Sequence, residues 1–317
     1  MSEHPKLVAF VDRLQGVRKN GDGFVAKCPV HADKSPSLSV SMGHRGVVFN
    51  CFAGCSPDDI IAKLEFQWSD LFLDGTTPNT KLKRRDWRAI ELESYACVRR
   101  LQNEPKALER FRFGRGWAAK ALEKLGVGWD GSRLTLPVRN MELKLHDVLR
   151  YDPFTQRRKV LAGKGKSRLP WPSPEFQDAG VLFLVEGEGT AISMASVGLT
   201  AVALPGSVSK PTTSVSRPGS WQGAGWHKSW ARRFEKFRHV ICLPDCDPQG
   251  RALMSAASFD LQRMGVDVHV IDIAPRSQDG SDIADHLLKT AWDSKSRKIA
   301  RDVIRMMVAE KAEVLVA

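Results

Sequence analysis

A chain of 317 residues with 42% hydrophobic content has room for two or three compact units with ordinary cores. No apolar run approaches the ~20 residues of a membrane span, and MSEHPKLVAF lacks a secretory pattern, so no membrane partner and a cytoplasmic location are expected. The formal charge of +12 is concentrated: residues 81–168 hold 23 Lys and Arg against 10 Asp and Glu, and the rest of the chain holds 25 against 26. A merely soluble surface would scatter its charge, whereas this segment has the footprint of a nucleic-acid phosphate backbone.

Residues 1–20 predict a short amphipathic helix, with Leu7, Phe10, Val11 and Leu14 at helical spacing. Cys28-x2-His31 and Cys51-x3-Cys55 then flank two strand-like runs, 37–40 and 46–49. Two close ligand pairs joined by a hairpin predict a tetrahedral structural Zn²⁺ site, and in a reducing compartment these thiols are better ligands than disulfide partners. His44 is a rival to His31 but stands alone at a turn. Ser56-Pro57-Asp58-Asp59 reads as an N-cap and acidic first turn, opening a helix through Leu64. So small a region depends on its metal for a core. The polar, then basic, DGTTPNTKLKRR reads as a linker.

Helices are predicted over 87–101 and 106–125. In the second, Arg110, Arg112 and Arg115 alternate with Phe111, Phe113 and Trp117, a pattern that serves phosphate and base contacts or ordinary packing equally well. Strands over 133–138, 143–151 and 159–161 follow, and this segment carries Arg133, Arg139, Arg150, Lys164, Lys166 and Arg168. LAGKGKSRLP is not a phosphate-binding P-loop, because Val160 stands where the first glycine of GxxxxGK[ST] is required.

The apolar run 181–185 empties into Glu186-Gly187, and 240–244 empties into Asp245-Cys246-Asp247. Short apolar runs of this kind predict buried parallel strands, whose carboxyl ends face the ligand crevice of an open α/β sheet. Alternation puts Asp245 and Asp247 on one side, with Cys246 facing away. Unpaired, such carboxylates repel one another and resist desolvation, and an all-oxygen set suits Mg²⁺ or Mn²⁺. Helices over 191–197, 226–237 and 250–264, strands over 201–204 and 266–271, a mobile loop over 207–225, and Asp282 and Asp285 before a helix from His286 complete an alternating strand–helix pattern.

CPVH…CFAGC resembles the zinc-binding N-terminal domain of DnaG-type DNA primases of the phage and mobile-element kind, the CHC2-like finger. VEGEGTA and LPDCDPQGR resemble the two signature motifs of the TOPRIM fold, and RLTLPV with its basic surroundings resembles the family's basic subdomain. Topoisomerases share TOPRIM but do not begin with this finger, and Tyr95 and Tyr151 are the only tyrosines available here for strand cleavage. The implied fold class is α/β, a TOPRIM-type doubly wound, mainly parallel sheet with a basic α+β subdomain and a small N-terminal zinc ribbon. The implied boundaries are a zinc-binding domain over 1–75, a linker over 76–92, a basic subdomain of the RNA polymerase core over 93–176, a TOPRIM domain over 177–288 and a helical tail over 289–317.

The resemblance implies synthesis of short RNA primers from NTPs on a single-stranded DNA template. Glu186 matches the family's acid and general acid/base, Asp245 and Asp247 its Mg²⁺ ligands, and Asp282 and Asp285 fall where further acids lie near the metals, so that all five are expected as Mg²⁺ ligands. Arg115, Arg133, Arg139, Arg150, Lys164, Lys166 and Arg168 are expected to hold the template. A replicative helicase would act in trans, and a phage-encoded chain would work in its bacterial host's cytoplasm. The C-x3-C knuckle departs from the family's common C-x2-C, and Glu188 is left without a role. Two readings compete: a TOPRIM nuclease, and a non-catalytic single-strand-binding accessory factor.

Overall fold

The computed structural model describes residues 4–33, 35–73, 86–155, 159–163, 168–205, 225–288 and 293–312. The chain divides into two compact units, Met1–Ile90 and Glu91–Ala317. Among the described residues no helix is long and apolar enough to cross a membrane.

In the first unit, helix α1 (Pro5–Asp12) starts where the His4 side chain accepts from the Lys6 amide, and it buries Leu7, Phe10 and Val11. It is shorter than the expected 1–20, because the chain turns back into an antiparallel hairpin of β1 (Arg18–Asn20) and β2 (Gly23–Ala26). Strands β3 (Leu38–Gly43) and β4 (Gly46–Cys51) complete a sheet of order β1-β2-β3-β4. Phe10 stacks on Phe49 at 5.0 Å, so α1 seals one sheet face. Helix α2 (Pro57–Lys63) begins as expected, with Ser56 capping the Asp58 amide, and the short α3 (Trp68–Leu71) follows.

The division between the units falls within α4 (Trp87–Gln102), so the last residues of the expected 76–92 linker are helical, while 74–85 lie outside the described residues. The single helix expected over 106–125 is two, α5 (Pro105–Arg115) and α6 (Ala119–Lys124), separated by Gly116 in the left-handed region. The break lets Trp117 turn inward, fully buried, to donate to Ser193 Oγ at 2.8 Å. Strands β5 (Gly128–Trp129), β6 (Leu134–Arg139), β7 (Leu145–Tyr151) and β8 (Val160–Leu161) form an antiparallel sheet in sequential order.

Four parallel strands follow: β9 (Val181–Glu186), β10 (Ala201–Leu204), β11 (His239–Cys242) and β12 (Asp267–Val270). Their order, β10-β9-β11-β12, reverses direction between β9 and β11. Helix α7 (Glu188–Ser196) links β9 to β10 and α8 (Pro248–Arg263) links β11 to β12. Right-handed crossovers running in opposite directions put these helices on opposite faces, the doubly wound arrangement expected. Leu182, Phe183, Leu184 and Val185 are accordingly all buried, as a strand covered on both faces requires.

The segment 226–237, expected as an α-helix, is a run of tight 3₁₀ turns over Lys228–Phe234, in which Trp226 packs at 6.0 Å against both Trp230 and Phe234. The helix expected from His286 is a short π-turn, Ala284–Leu288, and α9 (Ser294–Ala312) closes the unit with Ala300, Ile304 and Val308 buried. The loop expected over 207–225 lies, but for its last residue, outside the described residues.

Candidate active site and zinc centre

In the first unit, the hairpin geometry gathers the four expected ligands. One ligand atom from each of Cys28, His31, Cys51 and Cys55 lies within 4.8 Å of the others. His31 Nδ1 stands 3.1 Å from Cys55 Sγ and 3.9 Å from Cys51 Sγ. Its other nitrogen faces Ser37 Oγ at 3.4 Å and Asp33 at 3.8 Å, which fixes the ring as a metal-bound histidine needs. Asp33 also accepts from the Cys28 amide at 2.8 Å and from Ser37 Oγ at 2.6 Å. The thiols oppose one another in charge: hydrogen bonds from Cys28 and Cys55 drive the Cys51 thiol far down, and those with Cys28 and Cys51 drive Cys55 far up. A soft divalent cation resolves that conflict by ionising all three, so the quartet fits a closed structural Zn²⁺. His44 is not part of the group. Asp33 was not singled out from sequence, although its place two residues after His31 was the available signal.

In the second unit, Glu186 ends β9 and Asp245 lies just past β11, on the two strands between which the order reverses. The Leu243 amide still bonds Leu184 O at 2.9 Å, so β11 holds its register almost to the acids. Gly187, at φ 76°, makes the sharp exit from strand to α7 that a side chain would resist. Gly250 lets α8 approach closely, since a Cβ there would meet the Asp245 backbone at 2.8–2.9 Å.

Asp247 caps α8 by accepting from the Gly250 amide at 2.7 Å, and its own amide donates to Asp245 O at 2.7 Å. Cys246 between them is buried, and the Asp247-to-Asp245 bond makes this segment a tight turn rather than the extended run that the alternation assumed. The loop carrying Asp282 and Asp285 is tied to this turn by Cys246 N to Ser281 O, 2.8 Å, and Gly280 N to Cys246 O, 3.3 Å. Asp282 accepts from the buried Thr190 hydroxyl of α7 with one oxygen and from the Asp285 amide, at 2.8 Å, with the other. Thr190 was not found from sequence, where it reads as an ordinary helical residue.

Burial first, then the charges of Glu186, Asp282, Asp247 and Asp285, push the Asp245 carboxyl up to about 9. Asp245 therefore feels the other four acids. They stand apart all the same: among the described residues the cysteine–histidine quartet is the one group of three or more ligands gathered within 4.8 Å. Glu188 points elsewhere; it is buried and paired with Arg168.

Most of the expected template-binding cations already have protein partners. Arg139 bonds Glu91 at 2.6 Å and Leu143 O at 3.0 Å, Arg150 bonds Asp130 at 2.6 Å, and Arg133 reaches Lys159 O at 3.4 Å. Arg150 keeps half its side chain exposed, and Arg115 lies over the Trp117 ring at 5.8 Å. Lys164 and Lys166 lie outside the described residues. The interleaved aromatics divide: Phe111 and Trp117 are core, while Phe113 is 60% exposed with Arg112 5.3 Å from its ring centroid.

Two outcomes follow from this geometry. Chelating zinc from the full chain, or Cys55→Ala, should remove on the order of 10 kcal/mol from the first unit and abolish its calorimetric transition. The transition of Glu91–Ala317 should remain, and an unaltered first transition would overturn the zinc assignment. For Asp245, the folded carboxyl holds a proton that the unfolded one, near 3.8, has already released. Without added Mg²⁺ or Mn²⁺, stability should therefore fall as pH rises from about 4 to about 9. Asp245→Asn should flatten that fall, and parallel melting curves for the two proteins across this range would refute the coupling.

Residues 1–67 match the CHC2 zinc finger family, a zinc ribbon of DnaG. The chain is 24% identical over 189 residues to a DNA primase of Halalkalibacterium halodurans, an alignment covering 47% of this chain and 31% of that protein. It therefore spans about a third of that relative's length. A solved Aquifex aeolicus primase, with zinc-binding and RNA polymerase domains, is 16% identical with a TM-score of 0.47, covering 97% of this chain and 87% of its own. A DnaG primase catalytic domain bound to single-stranded DNA is 15% identical at the same TM-score of 0.47, covering 73% and 83%. The finger match over residues 1–67 and the bacterial relative are thus the likenesses that bear on function, and both are to DnaG-type primases.

Proposed function

We propose that this chain is a DNA primase, joining NTPs into short RNA primers on single-stranded DNA. The observation that carries the reading is the meeting of Glu186, Asp245 and Asp247 where the parallel strand order reverses, in a chain whose first 67 residues match a primase finger. On this reading Glu91–Ala317 contains a TOPRIM domain over 177–288, preceded by a basic subdomain over 93–176. Asp245 and Asp247, with Asp282 and Asp285, hold Mg²⁺ or Mn²⁺. An all-oxygen donor set suits Mg²⁺, which keeps several of its waters and takes few protein ligands. Such a cation, when bound, favours ionisation of the attacking 3′-hydroxyl and neutralises the leaving pyrophosphate. Glu186, at the strand end, takes the proton from that hydroxyl. The excess of cations over 81–168 holds template phosphates without reading sequence, and Phe113 with Arg112 offers a face for a base. A replicative helicase acts in trans.

Native chain incubated with single-stranded DNA, labelled NTPs and Mg²⁺ should yield short labelled RNA, and Glu186→Ala and Asp245→Ala should yield none. DNA cleavage without RNA would establish the nuclease reading. Binding without chemistry in all three proteins would establish the accessory factor. Affinity for DNA should drop steeply between ~50 and ~200 mM salt.

Thr190 gives a second test. Its hydroxyl donates to Asp282, and a hydrogen bond to a charged group is worth about 1.5–3 kcal/mol. Thr190→Val should weaken Mn²⁺ binding at least tenfold by paramagnetic titration, and Thr190→Ser should restore it. Equal affinity in all three proteins would remove Asp282 from the metal site.

A further inference from the structure

Glu188 and Arg168 both stood near the proposed site in sequence, one without a role and the other as a DNA contact. The structure joins them. Glu188 is 4% exposed in the first turn of α7, two residues past Glu186, and its Oε1 accepts from Arg168 Nη2. The Arg168 side chain is 21% exposed, and its Nε is buried without a hydrogen-bond partner. A guanidinium turned inward onto a buried carboxylate, with a nitrogen shielded from water, has little to offer a mobile polyanion.

The backbone around Arg168 is fixed as well. Three residues on, Trp171 exchanges backbone hydrogen bonds with Ala203 of β10, at 2.9 and 2.6 Å. The first turn of α7 in turn lies directly on the antiparallel sheet. A Cβ on Gly189 would stand 2.5 Å from Tyr151 Oη and 3.5 Å from Trp117. Tyr151 is buried on β7, and Trp117 donates into α7 at Ser193. Every residue of α7 except Ala195 is buried, so the helix has no solvent-facing side along which to shift.

We propose that Arg168 is a positioning residue: its buried pairing with Glu188 seats the first turn of α7 against Tyr151, and so fixes Glu186 and Thr190 on either side of that carboxylate. Arg168 is on this account no contact to DNA phosphate. The inference rests on reading the acids as a divalent-cation site, but it does not depend on whether that site polymerises nucleotides.

The test uses the full chain and three variants, Arg168→Met, Glu188→Leu and the double variant Arg168→Met/Glu188→Leu. Removing one member of a buried pair strands the other's charge, whereas replacing both by apolar groups of similar size is often neutral. Each single variant should lose about 10 °C of melting temperature and bind Mn²⁺ at least tenfold more weakly. The double variant should recover both to near the native values. Its salt slope for single-stranded DNA should equal the native slope. If the slope falls by about 0.7, Arg168 is a phosphate contact and the proposal is overturned. A double variant that melts normally but binds Mn²⁺ as weakly as Arg168→Met overturns it too. Should Arg168→Met fail to fold, the double variant alone decides. A native chain that binds Mn²⁺ but makes no RNA would cost only the polymerase reading, because neither readout here uses a nucleotide.

Discussion

Mutual repulsion of half-buried carboxylates is the constraint on which the larger unit depends. Asp245 cannot ionise freely beside Glu186, Asp247, Asp282 and Asp285 while partly shielded from water. Backbone features hold three of them: a left-handed glycine after Glu186, a helix cap at Asp247 and a hydrogen-bonded turn at Asp282. Glu186 itself ends a strand whose preceding four residues are buried. The sheet supplies the stiffness that the charges oppose.

The zinc centre and the proposed divalent-cation site set opposite problems. At the finger the ligands are gathered within 4.8 Å, and the metal completes the unit. On the proposed reading, the acids at the strand ends sit on a buried core that does not depend on a cation. The first site should therefore be lost with its metal, whereas the second should survive empty, with only its pH dependence changed. That contrast follows from ligand chemistry: thiolates and imidazole enclose a soft ion, and carboxylates leave room for the waters of a hard one.

Much of this was legible in the sequence, for identifiable reasons. Apolar runs such as 181–185 announce a strand covered on both faces, and an acid with glycine after them marks its end. The zinc quartet was legible because paired ligand spacing is set by local turns. What stayed hidden depends on distant contacts. Gly116 is a local helix stop, but nothing near it says that Trp117 turns inward to reach Ser193, 76 residues away. Thr190 and Asp282 are 92 residues apart, and each looks ordinary alone. The segment 226–237 has helical spacing of aromatics, yet those rings pack on one another through 3₁₀ turns. Arg168 was read through the charge of its neighbourhood, and charge counts carry no information on which way a guanidinium turns.

The charge segment therefore has two populations, and counting them as one overstates the surface available to a polyanion. Arg139 is 17% exposed and bound to Glu91, Arg168 is inward on Glu188, and Arg150 keeps half its surface open. Arg168 reaches Glu188 through Nη2, at the end of a long apolar stem. The same residue type that marks the segment as a phosphate footprint is thus also the one that ties it to the neighbouring sheet. Part of a basic segment's charge is spent on building the platform, and only the remainder is presented to a ligand.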